Sequence, residues 1–393
     1  DGAVDENGRC LYHNIDGQEI ITFLNLNETT EAYQTTILKE VATLESYIST
    51  LHDVTKKVDV GKYCAWGGNT ECIFWKHCFQ NLRDVPDTNS ANKYLDSSKS
   101  FKAWGIEGKY QLINEGYYKF DDVPMKWLVK EKHLIQRDCY DNSTEYVDKE
   151  KMQYWFDQLE YPIYHFDFET FACPLPRFRG EEPYRQSVFE FSLHIERKPG
   201  VCDKKNDNFI FLNEECFDDE REALAKAIID HFEFNDDGTL KGTMLAQNTS
   251  YEEGRLEELA ELYPEYSAKL KAIRNKSADL IHLLKSNKKF YKSDFKGKET
   301  IINYYHKDLS GSYSIKKTLP TLVPSLSYKG MDVGNGVQAY IAYINYDSSV
   351  PTAFDKGNVM KTKTERREAL KRYCQQDTWA MVEILRAVRK KIY

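Results

Sequence analysis

The chain has 393 residues, a net charge of −8, and many aromatics, with 20 Phe, 27 Tyr and 6 Trp, so two or three domains with ample core material are expected. No apolar run approaches the roughly 18–20 residues of a membrane span, and no signal-peptide pattern opens the chain. Nine cysteines, an odd number spread over a long chain, argue against a secreted disulfide scaffold, which points to a cytoplasmic protein with no membrane partner. Because the first residue is Asp1 rather than Met, a piece of something longer is expected.

In chain order, residues 29–54 read as a long amphipathic helix, with Ile37, Val41, Leu44, Ile48 and Leu51 at helical spacing. The stretch CAWGGNTECIFWKHC follows and spaces Cys64, Cys72 and Cys78 as C-x7-C-x5-C. Three soft ligands so close together suggest a metal site; three core cysteines are the plainer explanation. Asp84–Ser100 is polar and reads as a linker, and residues 101–155 as short helices and connectors.

From Tyr161 the pattern changes. PIYHFDFETF, SVFEFSLHIERK (Ser187–Lys198) and NFIFLN (Asn208–Asn213) read as three strands. A helix over Asp218–Glu233, a fourth strand over Gly242–Asn248 and a helix over YEEGRLEELAELY follow. Between Tyr266 and Lys317 there are 13 Lys/Arg against 4 Asp/Glu, either a phosphate-facing surface or a solvated face. Lys316–Gly336 reads as a loop carrying prolines and glycines, and its Gly334-x-Gly336 lacks the flanking strand and helix of a dinucleotide fingerprint. The last element is a helix over Thr364–Lys391, with Leu370, Cys374, Met381, Ile384 and Val388 on one stripe. Strands followed by alternating helix and strand predict an α/β domain with a mixed sheet.

Carboxylates recur at structured positions. Strand alternation places Asp167 and Glu169 on one face, about 6–7 Å apart, a spacing that suits a shared metal centre. Glu252 opens a helix just after a strand that ends at Asn248, where sites gather in open α/β sheets; an acidic first helical turn accounts for it equally well. Tyr373 and Asp377 are four apart on the last helix and share its apolar face, an expensive place for an unpaired acid. Asp167, Glu196 and Lys198 imitate a PD-(D/E)XK site, but that pattern leaves Glu252, Tyr373 and Asp377 without a role. Glu196 and Lys198 then read as the solvent face of the second strand.

Taken in order, strand D-x-E, N-x-x-Y-acid entering a helix, and Y-x-x-x-D on a late helix resemble the DEDD exonuclease superfamily in its tyrosine-containing, DnaQ-like branch. The resemblance covers residues 160–393 and implies an RNase H-like fold. It implies Asp167, Glu169, Glu252 and Asp377 as ligands of two Mg²⁺ or Mn²⁺ ions, with Tyr373 positioning the attacking water. Glu252 departs from the Asp usual at its position. Asn248, Lys316 and Lys317 are the expected substrate contacts.

The cysteine stretch is similar to the region after the catalytic core of RecB-like and CRISPR-associated PD-(D/E)XK nucleases. That similarity implies a [4Fe–4S] cluster, or zinc, on Cys64, Cys72 and Cys78, with Cys10 a candidate fourth ligand, and an upstream PD-(D/E)XK region outside this chain. Together with YHFDFETF and GSYSIKKTLPTL, the two resemblances match a bacterial family of uncharacterised function that joins such a region to a DnaQ-like domain.

The expected organisation is a smaller, mostly helical cysteine-cluster lobe at 1–100, a connector at 101–158 and the RNase H-like domain at 159–393. The expected function is a metal-dependent 3′–5′ exonuclease on DNA or RNA; the alternative is a non-catalytic nucleic-acid-binding scaffold of the same fold.

Overall fold

The computed structural model describes residues 26–50, 59–61, 65–66, 70–71, 75–95, 108–346 and 362–393. Cys10, Cys64 and Cys72 lie outside the described residues, and Cys78 ends a short helix, Trp75–Cys78, where it is half-buried. No described helix is long and apolar enough to cross a membrane.

The architecture is mixed α/β, with a five-stranded sheet flanked by helices. Its strands are β1 (Ile163–Ala172), β2 (Gln186–Glu196), β3 (Asn208–Leu212), β4 (Thr243–Ala246) and β5 (Ser277–Asp279), in the order β3-β2-β1-β4-β5. β2 runs antiparallel to both β1 and β3, while β4 and β5 run parallel to β1. β5 was not anticipated, because three residues (Ser-Ala-Asp) are too few to show a period of two.

The named helices are α1 (Asn27–Thr50), α2 (Glu131–Asn142), α3 (Lys149–Asp157), α4 (Arg221–His231), α5 (Ser250–Leu262), α6 (Ser267–Asn275), α7 (Leu280–Lys285), α8 (Ile315–Leu322), α9 (Gly336–Ile344) and α10 (Lys363–Ile392). Two of them, α8 and the start of α9, take the two ends of the loop expected at Lys316–Gly336, whose residues 323–335 remain without regular structure. Pro320 inside α8 disguised the first, since proline lacks the N–H that an interior helical residue supplies. Asn335 caps the second, its side chain accepting from the Gln338 N–H at 2.9 Å.

Alternation along β1 divides its side chains between two cores. Tyr164, Phe166 and Phe168 pack with Phe191, Leu193, Ile228, Leu256 and Ile273 beneath α4, α5 and α6. Each such buried ring removes apolar surface worth about 1.5–3 kcal/mol. His165, Asp167 and Glu169 face the opposite way, toward α10. The cluster containing α3 spans Met152, Trp155, Ile163, Leu245, Leu283, Tyr304 and Ile384, so α3 shares one core with the sheet and α10. A two-residue strand at Tyr146–Val147 also pairs with Tyr304–Tyr305. All described side chains of α1 are exposed, Ile37, Val41, Leu44 and Ile48 among them.

The α10-facing row of β2 corrects the solvent face expected for Glu196. Glu190, Ser192, His194 and Glu196 are all completely buried, because α10 lies across them. Ser192 Oγ and His194 Nδ1 each lie 2.8 Å from Thr378 Oγ1. Glu196 is held by His165 Nε2 at 3.0 Å, Arg389 at 2.5 Å and the Gly200 N–H at 2.7 Å. These partners hold its carboxyl down at about 2 in spite of burial.

Candidate metal centre and cleft

Asp167, Glu169, Asn248, Glu252, Lys316, Tyr373 and Asp377 line one cleft of about 760 Å³. The acids arrive from three elements: two from β1, one from the first turn of α5 and one from the middle of α10. Asn248 makes the turn between β4 and α5, with φ of 69°, a left-handed conformation that asparagine tolerates better than most residues. Its N–H donates to Asp279 Oδ1 at 3.0 Å, which fixes where α5 starts and hence where Glu252 points.

Burial is severe for acids. Glu169 and Asp377 are each 7 % exposed and Glu252 2 %, while Asp167 keeps a partly open edge on the cleft. Asp377 Oδ1 accepts from the Tyr328 hydroxyl at 2.5 Å, and Tyr373, one turn earlier on α10, adds to the lowering of this carboxyl's proton affinity. Lys316 Nζ lies 5.8 Å from the Tyr328 ring centre and 5.4 Å from that of Tyr373, and its charge acts on Glu169 and Asp377. Oε2 of Glu252 is buried with no hydrogen-bond partner among the described residues.

The carboxyls raise one another's affinity for protons. Desolvation comes first, then the charges of Asp377 and Glu169, in holding Asp167 well above the usual carboxylate range. Glu169 is raised by desolvation and then by Asp377 and Glu190. Burial lifts Glu252 to about 8, and Asp377 to about 6 against the opposing pull of Tyr328, Lys316 and Tyr373. So many close acids with so few cations leave a deficit of positive charge.

Asp167, Glu169 and Cys374 can present ligand atoms within 4.8 Å of one another. Burial, followed by the charges of Glu190 and Asp167, pushes the Cys374 thiol well up. It therefore sits as a neutral neighbour of the acids, its Sγ 3.9 Å from the Asp167 carbonyl oxygen. Hard carboxylate oxygens with an unsatisfied buried lone pair fit divalent cations such as Mg²⁺ or Mn²⁺.

Two residues at this site escaped the sequence. Tyr328 lies in a non-periodic segment, 49 positions from its partner Asp377. Glu190 lies directly across from Glu169, and a register shift beside the pair turns Phe189 to the α10 side as well. Both Glu190 carboxylate oxygens are buried without a hydrogen-bond partner among the described residues. A strand acid paired across from a candidate ligand was the available signal.

Lys317 does not line the cleft; its Nζ is 3.5 Å from Asp87 Oδ2. Glu196 and Lys198 sit toward the other end of β2 from the cleft, Glu196 being paired with Ile163 and the arginine–histidine network.

A family model described as a domain of unknown function (DUF2779) matches residues 164–314. The matched span holds Asp167, Glu169 and Glu252 and stops short of Lys316, Tyr373 and Asp377. Neither the curated proteins nor the solved structures contain a match.

Proposed function

We propose that the chain is a metal-dependent 3′–5′ exonuclease with an RNase H-like catalytic domain. The observation that carries this reading is the convergence of Asp167, Glu169, Glu252 and Asp377 on one cleft with Tyr373 beside them. The sheet is compatible with it: an antiparallel β3-β2-β1 meander extended by parallel β4 and β5 is a mixed sheet flanked by helices, as the resemblance leads one to expect.

Asp167, Glu169, Glu252 and Asp377 would hold two Mg²⁺ or Mn²⁺ ions, which supply an activated water and charge neutralisation at the leaving oxygen. Tyr373, one helical turn before Asp377 on the same cleft, would offer its hydroxyl toward the attacking water. Burial and the neighbouring acids raise this phenol far above its ordinary value, so it remains a hydrogen-bond donor. Lys316 faces the same acids and would attract the scissile phosphate. Asn248, exposed at the cleft edge, offers an amide to the terminal nucleotide.

An oligonucleotide labelled at its 5′ end, incubated with Mn²⁺, should shorten stepwise from the 3′ end and release nucleoside monophosphates. Asp167→Ala should reduce this to background. Inactivity on single- and double-stranded DNA and RNA, with binding retained, would leave the non-catalytic scaffold. The [4Fe–4S] or zinc site on Cys64, Cys72, Cys78 and Cys10 is a separate proposal, tested by metal analysis of anaerobically purified protein.

A further inference from the structure

The basic block between Tyr266 and Lys317 divides into two parts. In the first, cations meet acids: Lys271 and Arg274 bind Glu257 at 3.3 and 3.0 Å, and Lys276 binds Glu160 at 2.8 Å. In the second, Lys285, Lys288, Lys289, Lys292, Lys296 and Lys298 are all exposed, and none forms an ion pair among the described residues. Only Asp294 and Glu299 share that segment. Asp294 accepts from the Tyr154 hydroxyl at 2.9 Å, and Glu299 feels the charge of Lys288.

The segment is a built surface. Lys151 of α3 is completely buried beneath it and donates to Ser286 Oγ at 2.8 Å, the Lys298 carbonyl at 3.1 Å and the Ile301 carbonyl at 2.6 Å. Its ammonium also lies 4.6 Å from the Tyr291 ring centre. Phe290, Tyr291 and Phe295 pack on Tyr154. A seventh cation therefore holds the loop in place from below through hydroxyl and carbonyl oxygens, with the charges of Asp148 and Glu299 acting on it from nearby. Gathering this much like charge costs the folded state self-repulsion. One of the six, Lys285 at the end of α7, lines the cleft, and the other five follow it in the chain.

We propose that the Lys285–Lys298 segment is a phosphate-binding platform that takes the nucleic-acid strand as it leaves the cleft. The inference rests on the nuclease reading for the identity of the strand, and it adds where the strand runs. Six exposed ammonium groups on a shaped loop, next to a cleft that needs cations, match a flexible polyanion that brings its own phosphate spacing. Neutralised phosphates release counterions, so the platform makes affinity grow with strand length and fall with salt.

The test uses the full chain in EDTA, with fluorescence anisotropy of labelled oligothymidylate and oligouridylate of four and about 20 nucleotides, over a series of KCl concentrations. Replacing Lys288, Lys289, Lys292 and Lys296 together with Glu should weaken binding of the long strands at least about tenfold and that of the four-nucleotide strands far less. Replacing the same four with Gln should lower the slope of log K against log salt by about 0.7 per lysine. Unchanged long-strand affinity and slope in both variants, with circular dichroism showing a folded chain, would overturn the platform. So would lysine-dependent binding to phosphatidylserine vesicles with no binding to oligonucleotides. Lysine-dependent strand binding without hydrolysis would retain the platform and remove the exonuclease, and hydrolysis indifferent to these lysines would do the reverse.

Discussion

At the scale of single residues, the site is governed by acids that burial has made reluctant to ionise. A carboxyl whose folded pKa is raised binds protons more tightly in the folded chain than in the unfolded one. Its cost is absent below the unfolded value and grows as pH rises toward the folded value. Glu252, raised from 4.5 to about 8, thus destabilises the metal-free chain progressively between those two pH values, with a slope of about 1.4 kcal/mol per pH unit. His194 acts in the opposite sense: held down at about 4 by burial, it contributes stability above its unfolded value that is lost as pH falls toward 4. The raised acids Asp167, Glu169, Glu190, Glu252 and Asp377 outnumber this histidine, so melting in EDTA should decline as pH rises from about 5 to 8. Millimolar Mn²⁺ should flatten the alkaline decline. An alkaline limb indifferent to Mn²⁺ would show that these acids do not hold it.

Glu190 gives a sharper residue-scale expectation. Its two oxygens have no hydrogen-bond partner among the described residues, and its carboxyl is raised well above the ordinary range by desolvation. Glu190→Gln removes a buried ionisable group beside Glu169 and should stabilise the metal-free chain at pH 8 by about 1 kcal/mol or more. Calorimetry of the two proteins at that pH decides it. A loss of stability would mean that the carboxylate has a partner the fold does not show.

At the scale of elements, α10 carries Tyr373 and Asp377, and its register is set by polar contacts with β2. Thr378, next to Asp377, meets Ser192 and His194. Thr378→Val keeps the shape and removes one hydrogen bond from each partner, leaving both to Asn208 Nδ2, at an expected cost of about 1–3 kcal/mol in unfolding free energy. Mn²⁺ affinity should fall with it, whereas a purely local loss would leave metal affinity unchanged. Gly311 sets a second contact, between the cleft wall and the segment before α2. Its φ is +70°, and a Cβ there would lie 2.1 Å from the Lys93 carbonyl oxygen. Gly311→Ala forces backbone to move and should lower the melting temperature by several degrees.

Some of this was legible in the sequence because it follows period. Alternation put Asp167 and Glu169 on one face, and a spacing of four put Tyr373 beside Asp377. The strand-to-helix junction marked Glu252. What was hidden depends on which surfaces come to be covered. The polar row Glu190, Ser192, His194 and Glu196 has the alternation of a solvent face, and only α10 lying across it makes it interior. Tyr328 reaches Asp377 from a segment without period, and β5 is too short to show one.

At the scale of the whole molecule, the chain sets a concentration of negative charge inside the cleft against a lysine-rich segment at its wall. The net charge of −8 conceals that division, since the two halves of the basic block differ in whether their cations are already paired. Divalent ions would answer the first excess and a phosphate backbone the second, so metal and strand should bind cooperatively, each lowering the repulsion felt by the other's site. Strand affinity measured with Ca²⁺ against EDTA would show this as a higher affinity with the ion.

The most direct measurement is the count of Mn²⁺ bound per chain by titration calorimetry near pH 7.5. The account predicts two ions for the wild type, and the loss of both or of the tighter one in Asp167→Asn and in Asp377→Asn, with each variant folded. No Mn²⁺ binding, or binding that neither substitution alters, would contradict it.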